Sequence, residues 1–178
     1  LDLKLHHLLV LCSGILLASC ATFTGPKYQT SSLQVGSESV HTEEESSSIL
    51  KWPVASVRLT RGFRNSGRKP HWGVDLGGPK GSSISAARSG RVIYAGSSFH
   101  GYGRMVLIES TDGWATLYGH LSKILVKEGQ IVATGESVGL MGRTGNARGV
   151  HLHFEVRRNR IPVDPIPLLP EDHHVAGN

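Results

Sequence analysis

Cysteine is nearly absent from this chain, with only Cys12 and Cys20 among 178 residues. Cys12 lies inside an N-terminal apolar run, which leaves no pair of cysteines to cross-link a folded domain. The sequence is therefore not that of a small secreted domain held together by a disulfide framework.

Aromatic residues make up only 6% of the sequence, and no long helical period of apolar residues follows residue 20. The scarcity of aromatic residues argues against binding of nucleic acid by base stacking. The sequence instead has 22 glycines and many short apolar runs, a texture typical of short strands joined by tight turns. At this length we expect one all-β domain of antiparallel strands around a single hydrophobic core.

Seven apolar runs predict the strands of this domain. They cover residues 57–60, 91–95, 105–109, 115–121, 129–133, 138–141 and 151–157. Asp112-Gly113 and Arg158-Asn159-Arg160 predict tight turns between neighbouring strands. We expect the domain to span residues 51–168 and residues 169–178 to form a loose tail.

The N-terminal segment carries export signals. Residues 5–19 form an apolar run too short to span a bilayer comfortably, which predicts a signal peptide over residues 1–19. Leu17-Ala18-Ser19-Cys20 resembles the bacterial lipobox, so we expect lipid on Cys20 to anchor the protein in a membrane. Ala21 after Cys20 favours the outer membrane, facing the periplasm, in a Gram-negative host. An ordinary secretory signal that contains Cys20 is the less favoured alternative.

Residues 20–50 are rich in Ser, Thr, Gly and Gln, and they include the acidic run Glu43-Glu44-Glu45. Such a segment buries little apolar surface, so we expect a flexible polar tether. His41 lies within it. A solvated linker histidine is favoured over a role in capping a metal site.

Positive charge is concentrated in the predicted domain. Residues 51–170 contain 17 Lys and Arg against 7 Asp and Glu. A basic body concentrates anionic polymers at its surface, and both nucleic acid and bacterial cell wall fit that description. Because an exported, lipid-anchored protein rarely meets nucleic acid, we expect peptidoglycan as the partner and no nucleic acid.

Three separate segments carry zinc-ligating residue types, and we expect all three to be extended. Strand alternation places His151, His153 and Glu155 on one face and Leu152, Phe154 and Val156 on the core face. In the second segment, His71 and Asp75 emerge on the same side, because Gly73 and the glycines beyond it disfavour a helix. Alone, this pair could equally be a surface histidine with a carboxylate partner.

His120 lies in the third segment, where alternation places it on the same strand face as Thr116 and Tyr118. A lone strand histidine is more often structural than catalytic, so its meaning depends on the other segments. Spacing also leaves open whether His151 or His153 is the metal ligand.

Together the three segments resemble the zinc metalloendopeptidases of the lysostaphin/LytM type, which cut peptide cross-bridges in peptidoglycan. The resemblance covers residues 52–165. Its landmarks are Trp52-Pro53-Val54, Arg61-Gly62-Phe63-Arg64, His71-Trp72-Gly73-Val74-Asp75-Leu76, Pro79-Lys80-Gly81, Ala86-Ala87, Gly90-Arg91-Val92, Gly101-Tyr102-Gly103, Leu117-Tyr118-Gly119-His120-Leu121, Gly142-Arg143-Thr144-Gly145, His151-Leu152-His153-Phe154-Glu155 and Pro162-Val163-Asp164-Pro165. Two mild departures are Val150, where the family usually has Pro, and Ala147, where Ser is common.

The resemblance implies a half-barrel or sandwich with a shallow groove, in which His71, Asp75 and His153 hold one Zn²⁺. His151 and His120 would be unligated catalytic residues. His151 would take a proton from zinc-activated water, and His120 would stabilise the oxyanion or return a proton to the leaving amine.

For three further side chains we consider two alternative roles each. Glu155 is expected to be a solvated surface carboxylate in preference to a group that orients a ligand. Tyr102 and Tyr118 either line the groove or pack in the interior.

The predicted function is hydrolysis of peptide cross-links or stem peptides of peptidoglycan, at a D,D cross-link of the diaminopimelate kind or at a glycine bridge. The alternative is a non-catalytic wall-binding module that activates a separate amidase, as some lysostaphin-like envelope domains do. Those versions lack one or more ligands, whereas every ligand position is filled here, which favours the enzyme.

Overall fold

A computed structural model describes residues 48–171. Four of the predictions from the sequence lie outside the described residues: the signal peptide, the lipid on Cys20, most of the tether with His41, and most of the tail. Within residues 48–171 there is no α-helix, and neither of the two short 3-10 turns is long enough to cross a bilayer.

The described chain contains eleven β-strands. They are β1 (Leu59–Arg61), β2 (Val74–Gly77), β3 (Ser83–Ser85), β4 (Gly90–Gly96), β5 (Arg104–Glu109), β6 (Trp114–Leu121), β7 (Lys123–Ile124), β8 (Ile131–Val132), β9 (Ser137–Leu140), β10 (His151–Arg158) and β11 (Ile161–Val163). The 3-10 turns cover Thr111–Gly113 and Ile166–Leu168.

The strands form two antiparallel sheets. The larger sheet has the order β1-β2-β10-β6-β5-β4-β8, with β11 beside β10, and the smaller has the order β3-β9-β7. Neither strand path closes on itself, so the described sheets are open. The expected all-β, antiparallel fold class is confirmed.

Both predicted turns occur as expected. Asp112 and Gly113, between β5 and β6, have φ values of 60° and 74°, and Asn159 and Arg160, between β10 and β11, have values of 51° and 70°. Two successive residues with positive φ match the twist of flanking antiparallel strands. The sequence patterns did not predict β3, β7 or β11, because runs of two or three residues are too short to show an alternation.

The core lies against one face of the large sheet. Leu152, Phe154 and Val156 of β10 are fully buried there, as alternation predicted. The same cluster includes Leu50 and Leu169, so the packed region reaches one residue beyond each predicted domain boundary. With this face filled by apolar side chains, the opposite face of β10 is left for polar groups.

Candidate metal centre

Strand register brings the predicted ligands together. β10 pairs with β2 on one side and with β6 on the other, and His153 lies opposite both Asp75 of β2 and Gly119 of β6. His71 precedes β2 and is held by a backbone bridge to Arg64. Segments far apart in sequence therefore present their side chains at one point of the groove face.

His71, Asp75 and His153 form a compact cluster. Oδ1 of Asp75 lies 3.0 Å from Nε2 of His71 and 2.9 Å from Nδ1 of His153, and the two nitrogens are 3.2 Å apart. All three residues are buried. Two imidazole nitrogens and one carboxylate oxygen are the donor set of a catalytic zinc site that keeps a further position open.

In each of the two candidate ligand histidines, the ring nitrogen that faces away from the cluster donates a hydrogen bond. Nδ1 of His71 donates to the carbonyl oxygen of Gly62 at 2.8 Å, and Nε2 of His153 donates to Oε1 of Glu155 at 3.0 Å. Because these atoms carry the protons in the neutral rings, Nε2 of His71 and Nδ1 of His153 are left as lone-pair donors for a metal.

Glu155 is not the solvated surface carboxylate expected from the sequence. Its side chain is 0% exposed, and Oε1 also accepts a 2.6 Å hydrogen bond from the Tyr102 hydroxyl. Oε2 accepts from Nε and Nη2 of Arg157 at 2.8 and 2.6 Å. Four donors thus hold the carboxylate that orients His153. Alternation placed Glu155 on the correct face but could not indicate that Tyr102 and Arg157 would cover it.

Protonation of the metal-free cluster follows from these contacts. Burial by itself raises the pKa of Asp75, but the contacts with His153 and His71 outweigh burial and hold that pKa well below its usual range. For His153, burial lowers the pKa, and the bonds to Asp75 and Glu155 outweigh it, so the net pKa is raised. Asp75 and Glu155 therefore favour the protonated form of His153, and a metal ion would compete with that proton for Nδ1.

The cluster also has the right size for a small divalent ion. In a tetrahedral zinc site with bonds of about 2.0–2.1 Å, neighbouring ligand atoms are about 3.3 Å apart. The three separations in the metal-free arrangement are 2.9 to 3.2 Å. A metal would therefore need to spread the three atoms by only a few tenths of an ångström.

His151 and His120 lie beside the cluster. Nε2 of His151 is 3.7 Å from Oδ1 of Asp75, while its Nδ1 bonds the carbonyl oxygen of Gly149 at 3.0 Å. Nδ1 of His120 donates to the carbonyl oxygen of Thr144 at 2.8 Å, and its ring centroid is 4.7 Å from that of His151. Burial lowers the pKa of His120 to about 4, so this imidazole is neutral near pH 7.

His120 reaches the groove through a β-bulge. Val106 of β5 pairs with Tyr118, but Arg104 pairs with Leu121, so β6 carries one extra residue between these pairs. His120 has a φ of 62°, in the left-handed region. The prediction that His120 shares a strand face with Thr116 and Tyr118 is wrong, because the bulge reverses the alternation after Tyr118.

Of the two tyrosines, Tyr102 lines the groove and Tyr118 belongs to the core. Tyr118 is 0% exposed, and its hydroxyl accepts from the backbone N–H of Ala87 at 2.7 Å and donates to Oγ1 of Thr116 at 2.9 Å. Burial raises the pKa of Tyr118 to about 12. Its role is therefore structural.

The cluster of His71, Asp75 and His153 lies in an open groove of about 1000 Å³. His71, Asp75, His120, His151 and His153 all line it. The five predicted site residues therefore line a single groove, and Tyr102 and Glu155 line it as well.

Comparisons with known proteins identify the family of this chain. Residues 69–165 match the family model described as peptidase family M23. The chain is 43% identical over 119 residues to a lipoprotein NlpD/LppB homolog of Pseudomonas aeruginosa, covering 67% of this chain and 39% of that protein. It is 38% identical over 125 residues to the murein hydrolase activator NlpD of Escherichia coli, covering 70% and 32%. The chain thus spans well under half the length of either relative.

Solved structures show the same fold. A zinc containing peptidase from Vibrio cholerae superposes with a TM-score of 0.62 at 35% identity, covering 67% of this chain and 39% of that one. The catalytic domain of lysostaphin from Staphylococcus simulans superposes with a TM-score of 0.57 at 32% identity, covering 62% and 90%. The family match, these structures and the assembled His-Asp-His cluster lead to one conclusion: the chain belongs to peptidase family M23.

Proposed function

We propose that this protein is a zinc-dependent endopeptidase that hydrolyses peptide bonds in bacterial peptidoglycan. The observation that carries the proposal is the completeness of the site. His71, Asp75 and His153 offer three converging ligand atoms, and Nε2 of His151 faces the same carboxylate oxygen from 3.7 Å away. A binding module that had lost its chemistry would have no need of all five side chains.

His71, Asp75 and His153 would hold the zinc ion. Bound there, zinc would act as a Lewis acid on the scissile carbonyl and lower the pKa of water at the site to about 7. Asp75 supplies the single negative charge among these ligands, so the site keeps a net positive charge that favours a developing oxyanion.

The two remaining histidines supply proton transfer and orientation. The Gly149 carbonyl holds the proton of His151 on Nδ1, which leaves Nε2 free to accept the proton of the attacking water. The Thr144 carbonyl likewise leaves Nε2 of His120 as the free nitrogen of that ring. His120 would hydrogen-bond the oxyanion or return a proton to the leaving amine, and each such role is worth about 10²–10⁴ in rate.

We also propose that the protein is exported and anchored through lipid on Cys20, in the outer membrane and facing the periplasm. The lipobox-like Leu17-Ala18-Ser19-Cys20 and the following Ala21 support this. The Pseudomonas aeruginosa relative is itself named a lipoprotein. Residues 20–50 would then act as the tether that lets the domain reach the wall.

A second candidate function is activation of a separate wall hydrolase. The observation that favours it is the name of the Escherichia coli relative, a murein hydrolase activator, which is 38% identical to this chain. In that function the groove would contact wall or partner without cutting a bond. The complete ligand set makes hydrolysis the better supported proposal.

Digestion of purified sacculi separates these candidates. The zinc-loaded protein is incubated with sacculi, with and without a chelator, and soluble muropeptides are identified by mass spectrometry. We expect zinc-dependent release of peptides that lack the cut cross-link, and no release by the His151→Ala variant. If the protein releases nothing alone but accelerates an added amidase, activation is the correct function.

A further inference from the structure

The groove around the cluster of His71, Asp75 and His153 is lined by a set of cationic side chains. Arg58, Arg61, Lys69 and Arg148 all line it, and all four are exposed. They come from three parts of the chain: β1 and the residue before it, the loop that leads to His71, and the loop that leads to His151. Their convergence is therefore a property of the folded groove and not of one basic run.

These charges flank the reacting position. The Arg58 guanidinium lies against the backbone of Gly77, and Gly77 is the strand partner of His151. Arg61 is next to Gly62, whose carbonyl oxygen holds the ring of His71. Peptide seated across the cluster of His71, Asp75 and His153 would thus meet the cationic side chains that line the same groove.

In the part of the chain that the structure describes, no acidic side chain balances this set. Asp75 and Glu155 are the only described carboxylates that line the groove, and both are already engaged, Asp75 by the histidines and Glu155 by Arg157. Within residues 48–171, no ion pair joins any of the four cationic groups to a carboxylate. They therefore remain available to an anionic ligand.

We propose that the groove selects peptides with free carboxylates close to the scissile bond, and discriminates against neutral chains such as a glycine bridge. This inference rests on the proposed function, because it names the substrate class of the same groove. Arginine matches a carboxylate with two parallel N–H donors, and three of the four groups are arginines. A glycine chain offers no charge to these groups and would leave them unpaired.

Carboxylate capping tests the proposal on the wall itself. Sacculi are converted to methylamides with a carbodiimide and methylamine, which removes the negative charges and leaves the polymer insoluble. Binding is measured by co-sedimentation with the zinc-loaded His151→Ala variant, so that digestion does not alter the wall. We expect capping to weaken binding about tenfold or more.

Matched variants test whether the cationic side chains of the groove are responsible for binding to the wall carboxylates. The groove variant carries Arg58→Gln, Arg61→Gln and Arg148→Gln, and the control variant carries Lys80→Gln, Lys123→Gln and Lys127→Gln. The control removes the same charge from exposed positions outside the groove. We expect about tenfold weaker binding to uncapped wall for the groove variant only, and little response of that variant to capping.

A salt titration of the protein that carries no groove substitution is an independent test of the proposal. Binding to uncapped wall is expected to fall steeply as NaCl rises from about 0.05 to 0.5 M, because exposed charge pairs are screened over that range. Binding to capped wall is expected to stay weak throughout. Salt-insensitive binding, or an equal response of groove and control variants, would overturn the proposal.

The outcomes distinguish this inference from the proposed function. If the protein releases peptides equally from capped and uncapped walls, it is a hydrolase but its groove does not select carboxylates. If it prefers uncapped wall in sedimentation yet releases nothing from it, carboxylate selection holds and hydrolysis fails. Cleavage of an N-acetylated, C-amidated pentaglycine as fast as wall peptides would also overturn the inference.

Discussion

His153 and Glu155, two residues apart on β10, are joined by a 3.0 Å hydrogen bond from Nε2 to Oε1. Glu155 is in turn held by Tyr102 and Arg157. The bond leaves Nδ1 of His153 facing His71 and Asp75. The orientation of the proposed metal ligand His153 therefore depends on a carboxylate that is fully buried and lies outside the cluster of His71, Asp75 and His153.

Replacing this carboxylate with an amide is expected to weaken metal binding. In the Glu155→Gln variant the –NH₂ group must face either Arg157 or the donors Tyr102 and His153, so at least one hydrogen bond is lost. We expect zinc affinity to fall about 10- to 100-fold, measured by competition with a chelating indicator. Glu109→Gln, at an exposed position of β5, is the matched control. Unchanged affinity in Glu155→Gln would show that the bond to His153 does not position the ligand.

The two histidines at the start of β10 are expected to separate metal binding from catalysis. His153→Ala removes a ligand and should lose both zinc and activity. His151→Ala should retain most of its zinc and be inactive, because it removes only the proton acceptor. Metal content of both purified variants by atomic absorption checks the assignment. Loss of zinc from the His151 variant alone would reverse the two roles.

We expect the affinity for zinc to decrease as the pH falls below neutral. The raised pKa of His153 means that metal must displace a proton from Nδ1. In metal-free protein that proton stabilises the fold below the unfolded pKa of about 6.5, and this contribution is lost as pH rises through the folded pKa. Zinc should therefore raise the melting temperature more at pH 8 than at pH 5.5, and its affinity should fall about tenfold per pH unit while His153 is protonated.

Asp75 and His120 do not account for that dependence. The pKa of Asp75 is held well below its usual range, so the carboxylate is ionised throughout these conditions. Burial lowers the pKa of His120 to about 4, so this ring also keeps one charge state. An affinity independent of pH between 5.5 and 8 would contradict the assigned proton on His153.

The bulge at His120 predicts different stabilities for two variants that both lack the imidazole. Asparagine tolerates the left-handed region, whereas a β-branched residue at a φ of 62° is strained. We expect His120→Val to be less stable than His120→Asn by about 1–3 kcal/mol in denaturant unfolding. Both variants should keep their zinc and lose about 10²–10⁴ in rate. Equal stabilities would indicate that the backbone at residue 120 relaxes once the ring is removed.

Local pattern was sufficient to predict much of this protein. Alternation in β10 separates Leu152, Phe154 and Val156 from the histidines because successive side chains on a strand point to opposite faces. Asp112-Gly113 predicts its turn because both residues accept positive φ. The residue types of His71, Asp75, His151 and His153 indicate metal chemistry because imidazole and carboxylate are what zinc binds, while the family resemblance chose His153 over His151 as the ligand.

Only the tertiary structure decided how these parts work together. The register of β10 between β2 and β6 converts sequence-distant residues into one cluster, and no local pattern encodes that register. The bulge that turns His120 into the groove depends on the pairing of β5 with β6. The burial of Glu155 depends on Tyr102, which lies 53 residues earlier in the sequence. Sequence by itself determined which chemistry was available, because residue type sets donor atoms and alternation sets faces, whereas packing decided where those atoms meet and which charges lie around them.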